Sequence, residues 1–302
     1  MNMDGIAVDD AETDSYPKRL WCEDSGEWAV LGANKRAFLW RPGESLRGLL
    51  LDFAGNWTIE ILDRRRLAAV DENHIQIWDV AADPVRLFRC DARVGNVSML
   101  ASPLDGRWLA STGNDYHDGW GNVSVWSTSD PSWIAVFSGQ DRNVVSALVA
   151  DPQGEWLVAG DVRGCVRTID MRTLEESSMP LHGAAIECAA PRPDGSLVAF
   201  GADSDVVIWR VEDKSLVRML NTRQGGLIAA VAWSPDGTRV AAVRAAGSLD
   251  IWDVASGRLT ARLRLDCTLR SVSWRGDLIT MNGSRGPVLV RGGAVAGTWT
   301  RG

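Results

Sequence analysis

The sequence predicts an all-β chain, a seven-bladed β-propeller whose blades are four-stranded antiparallel sheets. Three observations carry that expectation. Short apolar runs ending in tryptophan recur at a near-constant interval along almost the whole chain. A tight turn rich in Pro, Asp and Gly keeps step with them. Thirty glycines and fifteen tryptophans, against two tyrosines and five phenylalanines, are spread along the 302 residues rather than clustered as in a linker. Regular spacing of this kind is the mark of a repeat architecture.

The runs set the period. They read Ala37-Phe38-Leu39-Trp40, Ile75-Gln76-Ile77-Trp78, Val123-Ser124-Val125-Trp126, Val206-Val207-Ile208-Trp209 and Leu249-Asp250-Ile251-Trp252. Two weaker copies, Val166 to Met171 and Pro287 to Arg291, fall in register. The tryptophan-equivalent positions are then 40, 78, 126, 169, 209, 252 and 291, with gaps of 38, 48, 43, 40, 43 and 39.

The turns come about fifteen to twenty residues before most of these runs: Asp24-Ser25-Gly26, Pro103 to Gly106, Asp151 to Gly154, Pro193-Asp194-Gly195 and Pro235-Asp236-Gly237. Proline pre-sets one turn dihedral, and glycine accepts the positive φ that other residues resist. A strand-like run flanks each turn on either side. The unit therefore reads strand, turn, strand, loop, strand ending in Trp, loop, strand. Four short strands in about 40 residues is the signature of a propeller blade.

Seven innermost strands are expected near 19–23, 57–62, 97–101, 144–150, 185–190, 228–233 and 269–274, and the last outermost one near 295–300. The final blade is then contiguous in sequence, and the C-terminus rather than Ile6-Ala7-Val8 supplies its last strand. Residues 1–18 form an acidic tail expected to be flexible, and 19–302 one propeller domain.

At these residues the chain resembles the WD40-repeat family. Trp78-Asp79 and Trp252-Asp253 carry the family's Trp-Asp pair, and Ser234-Pro235-Asp236-Gly237 through Trp252-Asp253 is similar to a nearly consensus repeat. The resemblance spans about 19–300. The family's Gly-His pair is missing; Leu181-His182-Gly183 comes nearest, in the wrong order. Apolar packing, rather than the family's Asp–His–Ser–Trp network, is therefore expected to set blade geometry. Trp40, Trp78, Trp126, Trp209 and Trp252 share one place in the repeat, and Trp28, Trp108 and Trp156 share a second; all eight are assigned to the core.

Composition excludes some functions. No stretch approaches the roughly 20 apolar residues of a membrane helix, and the acidic start is not a secretory leader. A net charge of −7 argues against broad nucleic-acid binding. The five cysteines lie far apart with no zinc-type spacing, which suits a reduced, cytoplasmic compartment. The Ala-, Arg-, Asp-, Gly- and Trp-rich composition suggests a bacterial source.

The family resemblance also orients a working surface. It implies that the loops between second and third strands, and those between blades, share the end on which partners usually dock. The third-blade loop from Gly113 to Gly121 is longest there and holds Asp115, Tyr116, His117 and Trp120, side chains that make binding hot spots. Arg93, Arg142 and Arg223 lie in inter-blade loops, and Arg163, Arg244 and Arg285 in second-to-third strand loops. Arginine grips carboxylate or phosphate with two hydrogen bonds, so an acidic or phosphorylated partner segment fits. Pairing with neighbours such as Asp91, Asp141 and Asp161 is the plainer alternative.

No GxSxG, HExxH or phosphate-loop motif occurs. His74, His117 and His182 sit in separate blades, and Asp115, Asp118, Asp161 and Asp203 belong to turns where aspartate ordinarily caps the backbone. The expectation is a non-catalytic scaffold or sensor platform without cofactor or metal, a monomeric propeller within a larger complex. The alternative is a small-ligand or carbohydrate site in the central channel, used for binding alone or for hydrolysis.

Overall fold

The computed structural model describes residues 19–22, 29–33, 36–40, 47–49, 58–71, 74–82, 84–91, 96–114, 121–130, 132–138, 143–221, 225–284, 286–291 and 294–298. They form seven four-stranded antiparallel sheets, with no helix among the described residues. The fold is the all-β propeller class that the repeat predicts.

Every blade is contiguous in sequence. Blade 1 is β1 (Arg19–Cys22), β2 (Ala29–Ala33), β3 (Arg36–Trp40) and β4 (Arg47–Leu49). Blade 2 is β5 (Ile59–Ile61), β6 (Arg66–Asp71), β7 (His74–Asp79) and β8 (Val85–Asp91). Blade 3 is β9 (Asn96–Ala101), β10 (Trp108–Asn114), β11 (Val123–Ser127) and β12 (Trp133–Phe137). Blade 4 is β13 (Val145–Ala150), β14 (Trp156–Asp161), β15 (Cys165–Asp170) and β16 (Glu176–Pro180). Blade 5 is β17 (Ile186–Pro191), β18 (Leu197–Ala202), β19 (Asp205–Arg210) and β20 (Ser215–Leu220). Blade 6 is β21 (Ile228–Trp233), β22 (Arg239–Arg244), β23 (Ser248–Asp253) and β24 (Arg258–Arg264). Blade 7 is β25 (Leu269–Arg275), β26 (Leu278–Gly283), β27 (Gly286–Arg291) and β28 (Ala294–Thr298), so its last strand comes from the C-terminal segment. The chain forms two compact units, one through Phe137 and one from Ser138. The tail 1–18, with Ile6 to Val8, lies outside the described residues.

The turns close as their residues require. The N–H groups of Gly106, Gly154, Gly195 and Gly237 donate to the carbonyls of Pro103, Asp151, Arg192 and Ser234 at 2.8–3.0 Å. All four glycines have φ between +58° and +76°, where a side chain is strained. In blade 6 the Ser234 hydroxyl, then the Thr238 N–H and hydroxyl, pull the Asp236 carboxyl down to a pKa of about 2.

Register decides which side chains are buried. Val240 pairs with Trp252 across β22 and β23, and Ile279 pairs with Val290 across β26 and β27. The seventh tryptophan-equivalent is therefore Val290, not Arg291. A one-residue shift in a strand exchanges its two faces: Val290 is buried and Arg291 exposed.

Alternate residues of a middle strand pack in opposite directions. Val207 and Trp209 join a cluster with Val158 and Val166 of blade 4, while Val206 and Ile208 join one with Val240 and Trp252 of blade 6. In the first unit, Ile75 and Ile77 of blade 2 meet Leu109 and Trp126 of blade 3. Neither face of an inner blade is left to water, which is why the repeat alternates less cleanly than a one-sided sheet. Trp78, Trp108, Trp126, Trp156, Trp209 and Trp252 are all buried; the side chains of Trp28 and Trp40 lie outside the described residues.

Hydrogen bonds about one repeat apart add to this packing. Trp156 Nε1 donates to Gly195 O and Trp233 Nε1 to Ala190 O, both at 3.1 Å, and Thr58 Oγ1 donates to Ser98 O at 3.1 Å.

Two of the third-strand tryptophans find polar partners within their own blade. Trp126 Nε1 donates to Ser111 Oγ at 3.3 Å in blade 3, and Trp78 Nε1 to Gln76 Oε1 at 3.2 Å in blade 2. In blade 5, His182 Nε2 lies 3.4 Å from Asp205 Oδ2, but Phe200 stands where blade 3 has Ser111. Trp209 Nε1 is buried without a hydrogen-bond partner among the described residues, with Phe200 edge-on at 6.2 Å.

Candidate interaction surface

The second unit shows how the loop end is built. Asp161 ends β14 and folds its carboxylate back over the turn. Oδ1 accepts the N–H of Arg163 and of Cys165, each at 2.9 Å, and Oδ2 accepts Asn143 Nδ2 at 3.1 Å. Gly164, at φ +81°, presses against the blade 4–5 linker: its carbonyl accepts the N–H groups of Leu181 and His182. A Cβ at Gly164 would stand 2.1 Å from His182 O. The turn is rigid, and Arg163 is carried outward on it. The Arg163 guanidinium is exposed and forms no ion pair among the described residues. The neighbouring aspartate is engaged with backbone and with the Asn143 amide, not with this cation.

Arg244 behaves in the opposite way, which corrects its place among the expected docking residues. Strand β22 runs through Arg244, so the residue is a strand end rather than a loop. Its side chain is 3% exposed. Nε donates to Asp250 Oδ2 at 3.2 Å, Nη1 to Gly226 O at 2.7 Å and Nη2 to Ser204 O at 3.2 Å. Asp250, 1% exposed, also accepts Arg262 Nε. Arg244 thus ties blade 6 to blade 5 from inside the fold and offers nothing to a partner.

Of the other expected contact residues, Asp115, Tyr116, His117, Trp120, Arg93, Arg142, Arg223 and Arg285 lie outside the described residues. The exposed apolar residues Val162, beside Arg163, and Leu227, in the blade 5–6 linker, were missed in the sequence reading. A single apolar residue within a turn gives no periodic signal.

The two described histidines are engaged structurally. His182 Nδ1 accepts the Ala184 N–H at 3.1 Å, so its hydrogen sits on Nε2, facing Asp205. His74 Nδ1 meets Arg89 Nη2 at 3.1 Å. Cys90, Cys165, Cys188 and Cys267 are free thiols. Burial raises Cys188 to about 12 and Cys90 to about 11, the reverse of what a nucleophilic thiol needs. Among the described residues, no three His, Cys, Asp or Glu side chains are grouped to hold a metal ion.

A cleft of about 740 Å³ opens at the opposite end, between blades 4 and 5. Its lining comes from β14, β15, β16, β18, β19, β20 and the turns beside them.

Seven contiguous four-stranded blades, most with a tryptophan in the third strand, define a seven-bladed β-propeller, and the chain is similar to WD40-repeat proteins. A family model described as the anaphase-promoting complex subunit 4 WD40 domain matches residues 190–277. The chain is 26% identical over 199 residues to the target of rapamycin complex subunit wat1 of Schizosaccharomyces pombe, covering 63% of this chain and 61% of that one. It is 22% identical over 224 residues to the target of rapamycin complex subunit LST8 of Bos taurus, covering 71% and 67%. Against telomerase protein component 1 of Rattus norvegicus, 27% identity over 192 residues covers 47% of this chain but 7% of that one. The chain thus spans less than two thirds of the length of wat1 and of the telomerase component. Among solved structures, the Cps50 (Swd1) β-propeller domain of Myceliophteria thermophila superimposes with a TM-score of 0.77 at 17% identity, covering 91% of this chain and 97% of that one.

Proposed function

We propose that this chain is a non-catalytic protein-interaction platform, and that a partner docks on its loop end through an acidic or phosphorylated segment. The exposed Arg163 guanidinium carries the reading: it stands on a rigid turn whose aspartate is occupied by backbone N–H groups. A guanidinium with no carboxylate partner among the described residues is open to a carboxylate or phosphate ligand. Tyr116, Trp120 and Arg142 join it in this proposal as the contact residues that the sequence offers at the same end. Relatives named as target of rapamycin complex subunits support assembly with other proteins as the mode of action. The proposal includes a cytoplasmic, cofactor-free, monomeric propeller as the working unit.

The test is affinity capture from native lysate, comparing the parent chain with Tyr116→Ala/Trp120→Ala/Arg142→Ala and with Arg163→Ala, all shown to be equally folded. A protein held by the parent and lost by both variants supports the platform and its face. Capture unchanged in both moves the docking surface elsewhere. Capture of no specific protein by the parent chain overturns the platform and turns attention to a small ligand in the channel.

A further inference from the structure

The blade 4–5 cleft lies at the other end of its sheets from Arg163, and its chemistry is different. We propose that it is a second docking groove, for an extended partner segment in which basic and apolar residues alternate. This proposal does not depend on the loop-end reading.

The cleft is built from a buried floor and two unlike walls. Trp156 and Leu197 close the floor. Blade 4 contributes the small polar side chains Thr168 and Ser177, and blade 5 contributes Val217.

From Val217 at the cleft wall, blade 5 continues as an apolar strip on β20. Leu216 is 53% exposed, Val217 36% and Met219 48%. Their direction follows from the pairing. Leu216 lies opposite Trp209 and Met219 opposite Val207, and both partners belong to the core that blade 5 shares with blade 4. Arg218 lies opposite Ile208, on the other face, and its guanidinium reaches Ala255 O and Ser256 O of blade 6. The register between β19 and β20 shifts beside Trp209, which leaves Val217 as the extra, outward residue. The equivalent strand of blade 4, β16, exposes Glu176, Ser178 and Pro180 instead. Blade 5 therefore keeps three apolar side chains in water beside a ready-made cleft, a combination that marks a binding surface. Because β20 is the outermost strand of its sheet, its free edge can also hydrogen-bond an extended main chain.

Charge selects the occupant. Several charged groups of the cleft are already paired: Arg210 with Asp213 at 3.1 Å, Arg192 with Asp194 at 3.5 Å, Glu176 with Arg167 at 2.7 Å and Arg172 with Asp170 at 4.0 Å. Glu155, Glu175 and Glu212 form no ion pair among the described residues, and Lys214 is the one unpaired lining cation among them. The uncompensated charge is negative, as is that of the whole chain. A basic segment meets attraction both at long range and on contact; an acidic one meets repulsion.

The experiment measures fluorescence polarisation of the full chain with three labelled octapeptides: alternating arginine and leucine, the same with glutamate for arginine, and the same with serine for leucine. The arginine–leucine peptide is expected to bind at least about tenfold tighter than either of the others. Glu155→Gln/Glu175→Gln/Glu212→Gln and, separately, Leu216→Ser/Met219→Ser are each expected to weaken it by about tenfold. Near-ultraviolet circular dichroism establishes that both variants keep the parent fold. Equal binding of the glutamate peptide, or binding that both variants leave unchanged, overturns the proposal, as does no binding of the arginine–leucine peptide. The glutamine variant should still capture any loop-end partner, so failure at one end is read separately from failure at the other.

Discussion

Blades 4 and 6 solve the same turn with opposite charges. At the end of the second strand, blade 4 places Asp161 and blade 6 places Arg244; three residues further on, both turns have a glycine, Gly164 and Gly247, at positive φ. In blade 4 the carboxylate caps backbone N–H groups of its own turn and leaves the following arginine exposed. In blade 6 the cation points inward, binds two carbonyls of neighbouring segments and needs a buried carboxylate, Asp250, for company. The backbone pattern is common to both. What differs is whether the turn is closed locally by hydrogen bonds or held from beneath by an ion pair, and only the first leaves a charge available to a partner.

That contrast breaks most sharply at Asp250. Removing one member of a buried ion pair leaves an uncompensated charge, so Asp250→Ala should destabilise by about 3–5 kcal/mol in urea unfolding followed by tryptophan fluorescence. Adding Arg244→Met and Arg262→Met to that variant should recover much of the loss, because a packed apolar replacement of such a pair is often neutral. No recovery would mean that the contacts of Arg244 to Gly226 and Ser204, rather than its charge pairing, hold blade 6.

The local solution in blade 4 is less costly to remove. Asp161→Ala deprives the N–H groups of Arg163 and Cys165 of their acceptor and should cost about 1–3 kcal/mol by the same assay. Gly164→Ala forces a Cβ onto the His182 carbonyl at a positive φ and should cost more than about 1 kcal/mol. If both variants were neutral, the blade 4 turn would not be the rigid mount that the docking proposal requires.

At the other end of blade 6, Asp236 offers a pH test. Its folded pKa of about 2 lies below the unfolded value of roughly 4. Its contribution is therefore present above about pH 4 and lost as pH falls towards 2. The stability gap between the parent chain and Asp236→Ala, measured from pH 7 to pH 2, should hold down to about pH 4 and then narrow towards its smallest value at pH 2. The smallest effect is expected at Arg163. Arg163→Ala should change stability by less than about 0.5 kcal/mol, because the side chain is exposed and forms no ion pair among the described residues, while still abolishing partner capture.

Much of the fold was legible before any coordinates. The inner strand read near 228–233 is β21, and the recurring Trp runs end the third strands of blades 2, 3, 5 and 6. Turn glycines and alternating burial act over a few residues, so they leave a local imprint. Blade 7 shows the limit: without a tryptophan to anchor it, an apolar run that ends in arginine could be read one residue off, and pairing with β26 set the register. The site was much less legible. Arg163 and Arg244 look alike in sequence, each near a glycine turn, and differ by where a strand stops. Asp250 and Arg262, which settle the fate of Arg244, lie on different strands from it.

The sequence by itself determined that this chain is a repeat of four short strands, where its turns fall and which large aromatics enter the core, because each depends on dihedral preference and short-range periodicity. Tertiary structure alone decided which charges are buried, which apolar side chains remain in water on β20 and where a cleft opens between blades 4 and 5. Those properties depend on what stands opposite each side chain about forty residues away, and no local pattern records that.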